Sequence, residues 1–245
     1  MASCGSNSAQ KKNDISIKTN AEKHVIYTNS TLEMELFNPK KHEISSVEFK
    51  FDGESVSKQI DLSSYRLGEH LIEATLNLGG DSETISQTVT ILNNKTPKVY
   101  AYKIINTYPH DITSYTQGLE FFNGELYEST GQYKESKLRK VDYKTGEVLK
   151  NIALADEFFG EGLTVLNNNI YQLTWKRGTG FVYNVDTFEK TGSFKYGKSK
   201  EGWGICNDGK QLYKSDGTEK IWTLNPETLV EETYIQAYHT KGKVV

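Results

Sequence analysis

The sequence predicts an all-β protein in which a β-sandwich precedes a β-propeller, and three observations carry that prediction. From about Ile15 to Leu92 the chain reads as short alternating strands separated by turn residues. From Thr116 onward it repeats itself with a period in the low forties and about four strands per repeat, which is the spacing of propeller blades. With 36% hydrophobic residues, 25% charged residues, and 15 Tyr against 4 Pro, the 245-residue composition is that of a globular chain rich in strand-compatible side chains.

The same numbers exclude several functions. A net charge of -3 with no dense Lys/Arg run leaves no electrostatic footprint for nucleic acid. No run approaches the ~18 apolar residues of a membrane span, and no charged n-region followed by an apolar h-region is visible. The five histidines, His24, His42, His70, His110 and His239, lack metal-ligand spacing. The two cysteines, Cys4 and Cys206, lie far apart in unlike contexts, so a disulfide framework is not expected. Cys206 reads as a small buried hydrophobe.

Taken in order, residues 1–14 form a flexible polar tether. Ala-Ser-Cys4 followed by GSNSAQKKND resembles the start of a bacterial lipoprotein after removal of its signal peptide, with Cys4 as the lipid-bearing residue. An ordinary disordered terminus is the alternative. The lipoprotein reading implies a periplasmic or cell-envelope location, with membrane contact only through that anchor. Residues 15–92 carry the strands ISIKT, TLEMELF, SSVEFKFDG, HLIEATLNLGG and ETISQTVTIL, broken by NPKK, DGES and GGDSE. In VEFKFDG, Val47, Phe49 and Phe51 share one face and Glu48 and Lys50 the other. This is an immunoglobulin-like architecture without the Cys...Trp...Cys signature, and no chemistry is visible in it. NNKTPK, from Asn93 to Lys98, has linker composition and marks the boundary.

Residues 99–245 form the repeat. TQGLEFFNGELYEST from Thr116, GEGLTVLNNNIYQLTW from Gly160 and GWGICNDGKQLYKSDGT from Gly202 align, each with a Gly, a strand, an Asn/Gly turn and a second strand. The matching glycines, Gly118, Gly162 and Gly204, lie 44 and 42 residues apart. A third and a fourth strand follow around turns at Asp142, Asp186 and Asn225, which read as turn formers. Because the glycines sit at the start of the first, innermost strand, the residues just before them, Gln117, Glu161 and Trp203, converge on one mouth of the channel. An amide, a carboxylate and an indole together make a pocket, where independent core positions would be aliphatic. Gly160-Glu161-Gly162 by itself more often marks a bulged turn whose Glu satisfies a nearby backbone amide. Trp175 and Trp203 by themselves suit a core, and Gln117 suits a hydrogen-bonded tie between blades. Glu128 and Glu201 read as structural.

The motifs TQGLEF with ELYESTGQY, FFGEGLT, IYQLTWK, GFVYN, EGWGI and SDGT, in this order from about Tyr108, resemble the plant-type glutaminyl cyclases, or glutamine cyclotransferases, in a bacterial form with an N-terminal immunoglobulin-like domain. The resemblance implies a five-bladed propeller that converts the N-terminal glutamine of peptides or proteins to pyroglutamate and releases ammonia. It implies Glu161 as the proton-shuttling carboxylate, Gln117, Trp175 and Trp203 as substrate-binding residues, no cofactor, and a monomer. The chemistry fits these residue types, because the substrate's own α-amine is the nucleophile and only proton traffic remains for the protein. A Glu between two glycines and near two tryptophans is partly desolvated, which brings its pKa towards working pH.

Two expectations cut against this assignment. Val99 to Val245 has room for three blades of the five, with AYKIINTY from Ala101 as a strand of the closing blade that lacks its partners here, so the chain is expected to be a fragment, inactive or aggregated alone, while its full-length parent is a cyclase. The alternative from a different class is a non-catalytic binding propeller that recognises a protein or glycan.

Overall fold

A computed structural model describes residues 14–245, and Cys4, with the tether proposed around it, lies outside the described residues. No helix occurs among them, and the chain divides into two compact units. One is built from the chain up to Thr96 together with Tyr238–Gly242, the other from Pro97–Ala237 and Lys243–Val245.

The first unit contains β1 (Ser16–Thr19), β2 (Val25–Tyr27), β3 (Thr31–Phe37), β4 (Ser46–Phe51), β5 (Glu54–Val56), β6 (Gln59–Asp61), β7 (Gly68–Leu78) and β8 (Asp81–Leu92). They form a three-stranded sheet of order β1-β3-β6 and a five-stranded sheet of order β2-β8-β7-β4-β5. Period-2 alternation is clean in β3 and β7, where every second side chain turns inward. Leu32 and Met34 from the smaller sheet meet Phe49, Phe51, Ile72, Leu76 and Ile91 from the larger in one apolar core.

The second unit contains three antiparallel four-stranded sheets. The first holds β9 (Thr116–Phe122), β10 (Glu125–Thr130), β11 (Lys137–Val141) and β12 (Val148–Ala153). The second holds β13 (Gly160–Leu166), β14 (Asn169–Thr174), β15 (Thr179–Asn184) and β16 (Lys190–Lys195). The third holds β17 (Ile205–Asn207), β18 (Leu212–Ser215), β19 (Lys220–Leu224) and β20 (Glu231–Gln236). In each sheet the strands run in chain order from one edge to the other.

Hydrogen bonds from side chains join the three first strands. Glu120 of β9 accepts from Thr164 Oγ1 at 2.6 Å and from the Val165 amide at 2.9 Å, and Asn207 of β17 donates to Thr164 Oγ1 at 2.8 Å. Two apolar layers fill the space between the sheets. One gathers Tyr127, Leu138, Leu163, Ile170 and Phe181, the other Tyr171, Leu173, Ile205, Leu212 and Trp222.

Three sequence expectations need correction. The turn residue equivalent to Asp142 and Asn225 is Asn184, not Asp186. Asp142 Oδ1 accepts from the Lys144 and Thr145 amides, Asn184 Oδ1 from Asp186 and Thr187, and Asn225 Oδ1 from Glu227 and Thr228. Cys206 is exposed, because alternation along β17 turns Ile205 inward and the thiol outward. Residues 101–108 form no strand despite their apolar alternation, and Tyr102 and Ile105 remain 89% and 85% exposed. With no partner edge among the described residues, strand propensity alone does not make a sheet there.

Candidate active site

The site begins with an irregularity in β13. Gly160 pairs with Thr174 and Leu163 with Gln172, so three residue steps on β13 face two on β14, and the ladder bulges at Glu161-Gly162. A bulge inserts one residue and re-aims a side chain. The bulge that the two glycines mark is therefore also what re-aims the Glu161 side chain. Neither flanking glycine has a positive φ, and what they supply is space. A Cβ on Gly160 would lie 2.5 Å from the Thr130 carbonyl oxygen, and one on Gly162 would lie 2.6 Å from the Trp203 carbonyl oxygen.

The repeated glycines lie side by side. A Cβ on Gly118 would come within 2.7 Å of Leu163 N and 3.1 Å of Gly162 Cα, and one on Gly162 within 2.9 Å of Gly204 Cα. The Gly162 amide donates to the Trp203 carbonyl at 2.7 Å. Backbone contact at three consecutive first strands thus brings the residues that precede the glycines to one end of the sheets.

Glu161 is buried, 9% exposed, and its carboxylate makes no hydrogen bond or ion pair among the described residues. Burial, and secondarily the nearby charge of Glu201, pushes its pKa from an ordinary 4.5 up to about 7. Trp175 follows β14, half-buried, with its amide on the Phe159 carbonyl at 3.0 Å. Its ring meets the Phe159 ring at 5.6 Å between centroids, and Lys176 Nζ lies 3.9 Å from its own ring centre. Trp203 precedes β17, is 45% exposed, and abuts Gly217, whose φ of +77° and missing side chain leave room for the indole. Neither tryptophan is a core aromatic.

Gln117 is half-buried, with its amide group unbonded among the described residues, so it ties no strands together. Its Cγ and the Phe159 ring both crowd the position of a Cβ on Gly131, which places the amide beside the aromatic cluster that continues to Trp175.

Glu128 is structural. It is fully buried in β10, where it accepts from His110 Nε2 at 2.9 Å and Thr116 Oγ1 at 2.6 Å. Glu201 is not merely structural, because its Oε2 accepts from Trp175 Nε1 at 2.8 Å and from Trp203 Nε1 at 2.9 Å. The sequence reading weighs Glu201 and ranks it as structural, and it gives Phe159 no role. The available signal was a carboxylate two residues before an expected wall tryptophan.

The raised pKa makes a stability prediction. In the folded state Glu161 holds a proton up to about pH 7, while in the unfolded chain it releases it near 4.5, so the folded state binds more protons across that window and stability falls as pH rises through it. Glu161→Gln, neutral throughout, is expected to melt at the same temperature as the parent below about pH 4.5 and above it at pH 8. Paired thermal melts by circular dichroism across that range check the sign.

A glutamine cyclotransferase family model matches residues 74–245. A glutaminyl-peptide cyclotransferase of Arabidopsis thaliana is 38% identical over 144 residues, covering 58% of this chain and 45% of the relative. The crystal structure of Myxococcus xanthus glutaminyl cyclase aligns with a TM-score of 0.53 and 30% identity, over 58% of this chain and 59% of that one. The chain thus spans roughly half the length of each of these two relatives.

Proposed function

The chain belongs to the glutamine cyclotransferase family, and from that premise we propose that the Glu161 site converts the N-terminal glutamine of peptides or proteins to pyroglutamate with release of ammonia. In this reading the three four-stranded sheets are blades of a β-propeller, with Gln117, Glu161 and Trp203 at one mouth of its channel. The first unit is an immunoglobulin-like β-sandwich, and the protein works as a monomer at the cell envelope, tethered through Cys4. The envelope location is carried by the sequence around Cys4 alone.

One observation carries the catalytic assignment: Glu161 is a buried, unbonded carboxylate whose pKa is pushed up to about 7 by burial and by Glu201, the carboxylate that accepts from two indoles. A general acid and base works best when its pKa lies near the operating pH. The substrate's α-amine attacks the δ-carbonyl carbon of its own side chain, forming the ring C–N bond, and the tetrahedral carbon then expels the amide nitrogen. Glu161 takes the proton that the attacking amine sheds and delivers it to the departing nitrogen, which leaves as ammonia, so the carboxyl group ends as it began. The indoles of Trp175 and Trp203 wall the pocket so that the side chain folds back upon the amine. Restricting reactants this way supplies up to ~7 to 11 kcal/mol in favourable intramolecular systems. Gln117 is suited to hydrogen-bond the substrate's amide.

The test is mass spectrometry of a Gln-initiated peptide with the purified full-length parent of this chain, alongside the same peptide with its α-amine acetylated. Enzyme-dependent loss of ammonia is expected from the first and not the second. Equal, enzyme-independent conversion of the first peptide in buffer and with protein would refute the assignment.

A further inference from the structure

We infer that Glu201 is the positioning residue of this site, a single carboxylate oxygen fixing both indoles. This deepens the cyclase reading and rests on it for its consequence in catalysis. An indole has one hydrogen-bond donor and no acceptor, so each tryptophan spends its whole polar capacity on Glu201 Oε2, at 2.8 and 2.9 Å. Both ring orientations are then set by one atom, and hydrogen bonds to an ionised acceptor are the stronger kind. The restraint matters most for Trp203, which at 45% exposure has little packing to hold it.

Glu201 itself is well anchored. Its carbonyl accepts from Lys214 Nζ at 2.9 Å, and Lys214 is fully buried. Upstream, Glu231 accepts from the Lys198 and Ser199 amides at 2.7 and 3.1 Å. Downstream, the Gly202 amide donates to the Trp175 carbonyl at 3.0 Å. The segment from Lys198 to Gly204 is thus tied to β18, to β20 and to the residue that follows β14 without being part of any strand.

The charges around the site decide how Glu201 acts. Lys214 is paired with Glu231 at 3.3 Å, and Lys176 lies over the Trp175 ring. Lys198, Lys200, Asp216, Glu219 and Lys220 line a pocket together with Glu201. Asp216 is occupied by Trp222 Nε1 at 2.7 Å and Thr218 Oγ1 at 2.6 Å. Tyr196 lies near Glu161, with its hydroxyl bonded to the Thr174 backbone. No cation among the described residues forms an ion pair with the Glu201 carboxylate, so its charge is left to act on Glu161. Like charges resist ionising together, and Glu201 adds to burial in keeping a proton on Glu161.

Nuclear magnetic resonance on the full chain tests this without relying on turnover. The three tryptophans give three indole N–H signals, and Trp222, bonded to Asp216, is an internal reporter of folding. In Glu201→Ala, the Trp175 and Trp203 signals are expected to shift together while Trp222 stays. In Glu201→Gln, whose amide oxygen can still accept two hydrogen bonds, both signals should stay near their parental positions. The titration of Glu161, followed with carboxyl-labelled glutamate and assigned with Glu161→Gln, should move to lower pH while remaining above the ordinary carboxylate range. If only one indole signal responds in Glu201→Ala, the shared clamp is wrong. An unmoved Glu161 titration in Glu201→Gln overturns the electrostatic half, and this variant decides the matter if Glu201→Ala loses the Trp222 signal. A cyclase assay that fails while these resonances behave as expected refutes the function and leaves the role of Glu201 standing.

Discussion

Glu161→Gln is expected to lower the rate of pyroglutamate formation by about 10²- to 10⁴-fold, the usual contribution of a positioned acid–base group, while peptide binding persists. The substitution keeps the shape of the side chain and removes its capacity to carry a proton. The tryptophans that would wall the pocket are held by Glu201 and not by Glu161, so they should not move. The loss should therefore fall on kcat and leave KM nearly unchanged, as for an interaction made only in the transition state. In the parent, kcat/KM should rise with pH through about 7 as Glu161 becomes the base. Initial rates of ammonia release from a Gln-initiated peptide, with binding followed by calorimetry, separate the two parameters. A variant that keeps parental kcat would remove Glu161 from the chemistry.

The position of Glu161 was legible because two patterns agreed. Gly160-Glu161-Gly162 breaks strand propensity locally, and the spacing of Gly118, Gly162 and Gly204 put that break in register with Gln117 and Trp203. At Gly118 and Gly162 neighbouring backbones pass too closely for a Cβ, a constraint that writes itself directly into sequence, whereas a Cβ on Gly204 would meet only Ser215 Oγ at 3.2 Å. Glu201 was illegible for the opposite reason. Its role depends on two indole N–H groups pointing at one oxygen, and Trp175 and Glu201 come from segments 26 residues apart. Spacing along the chain does not report side-chain direction.

The outer turns show how a repeat can hide its register. Gly146, Phe188 and Leu229 share a left-handed backbone, with φ of +77°, +65° and +58°, and each returns its amide to the carbonyl of Asp142, Asn184 or Asn225. The second turn looked displaced by two residues because Val185-Asp186 repeats the apolar-Asp/Asn pairs Val141-Asp142 and Leu224-Asn225, while the side chain that closes the turn is Asn184, after Tyr183. Residues 101–108 fail differently. Their alternation is that of a strand, but a strand is stabilised by cross-strand neighbours, and pairing is a property of the fold that local sequence does not contain.

Gly162→Ala is the substitution expected to damage the second unit most. The added methyl group would meet Trp203 O at 2.6 Å, Ile205 N at 2.8 Å and Gly204 Cα at 2.9 Å, all of them backbone atoms that no rotamer change can move aside. Relief requires β13 and the segment leading into β17 to separate, which lengthens the 2.7 Å bond from the Gly162 amide to Trp203. Overpacking of this kind typically costs about 1 to 3 kcal/mol, and the loss of a buried backbone hydrogen bond adds to it. Trp203 is displaced in the same movement, so the indole that Glu201 holds should shift along with the lowered melting temperature. Gly192→Ala in β16 is the matched control. Its Cβ would have a single neighbour, Val182 Cβ at 3.9 Å, with no positive φ to oppose it. Removing a strand glycine there should be neutral or slightly stabilising. Urea midpoints of the two variants, measured side by side, distinguish a requirement for space at the line of repeated glycines from a general intolerance of the sheets to alanine, and equal midpoints would show that the first strands can part without cost.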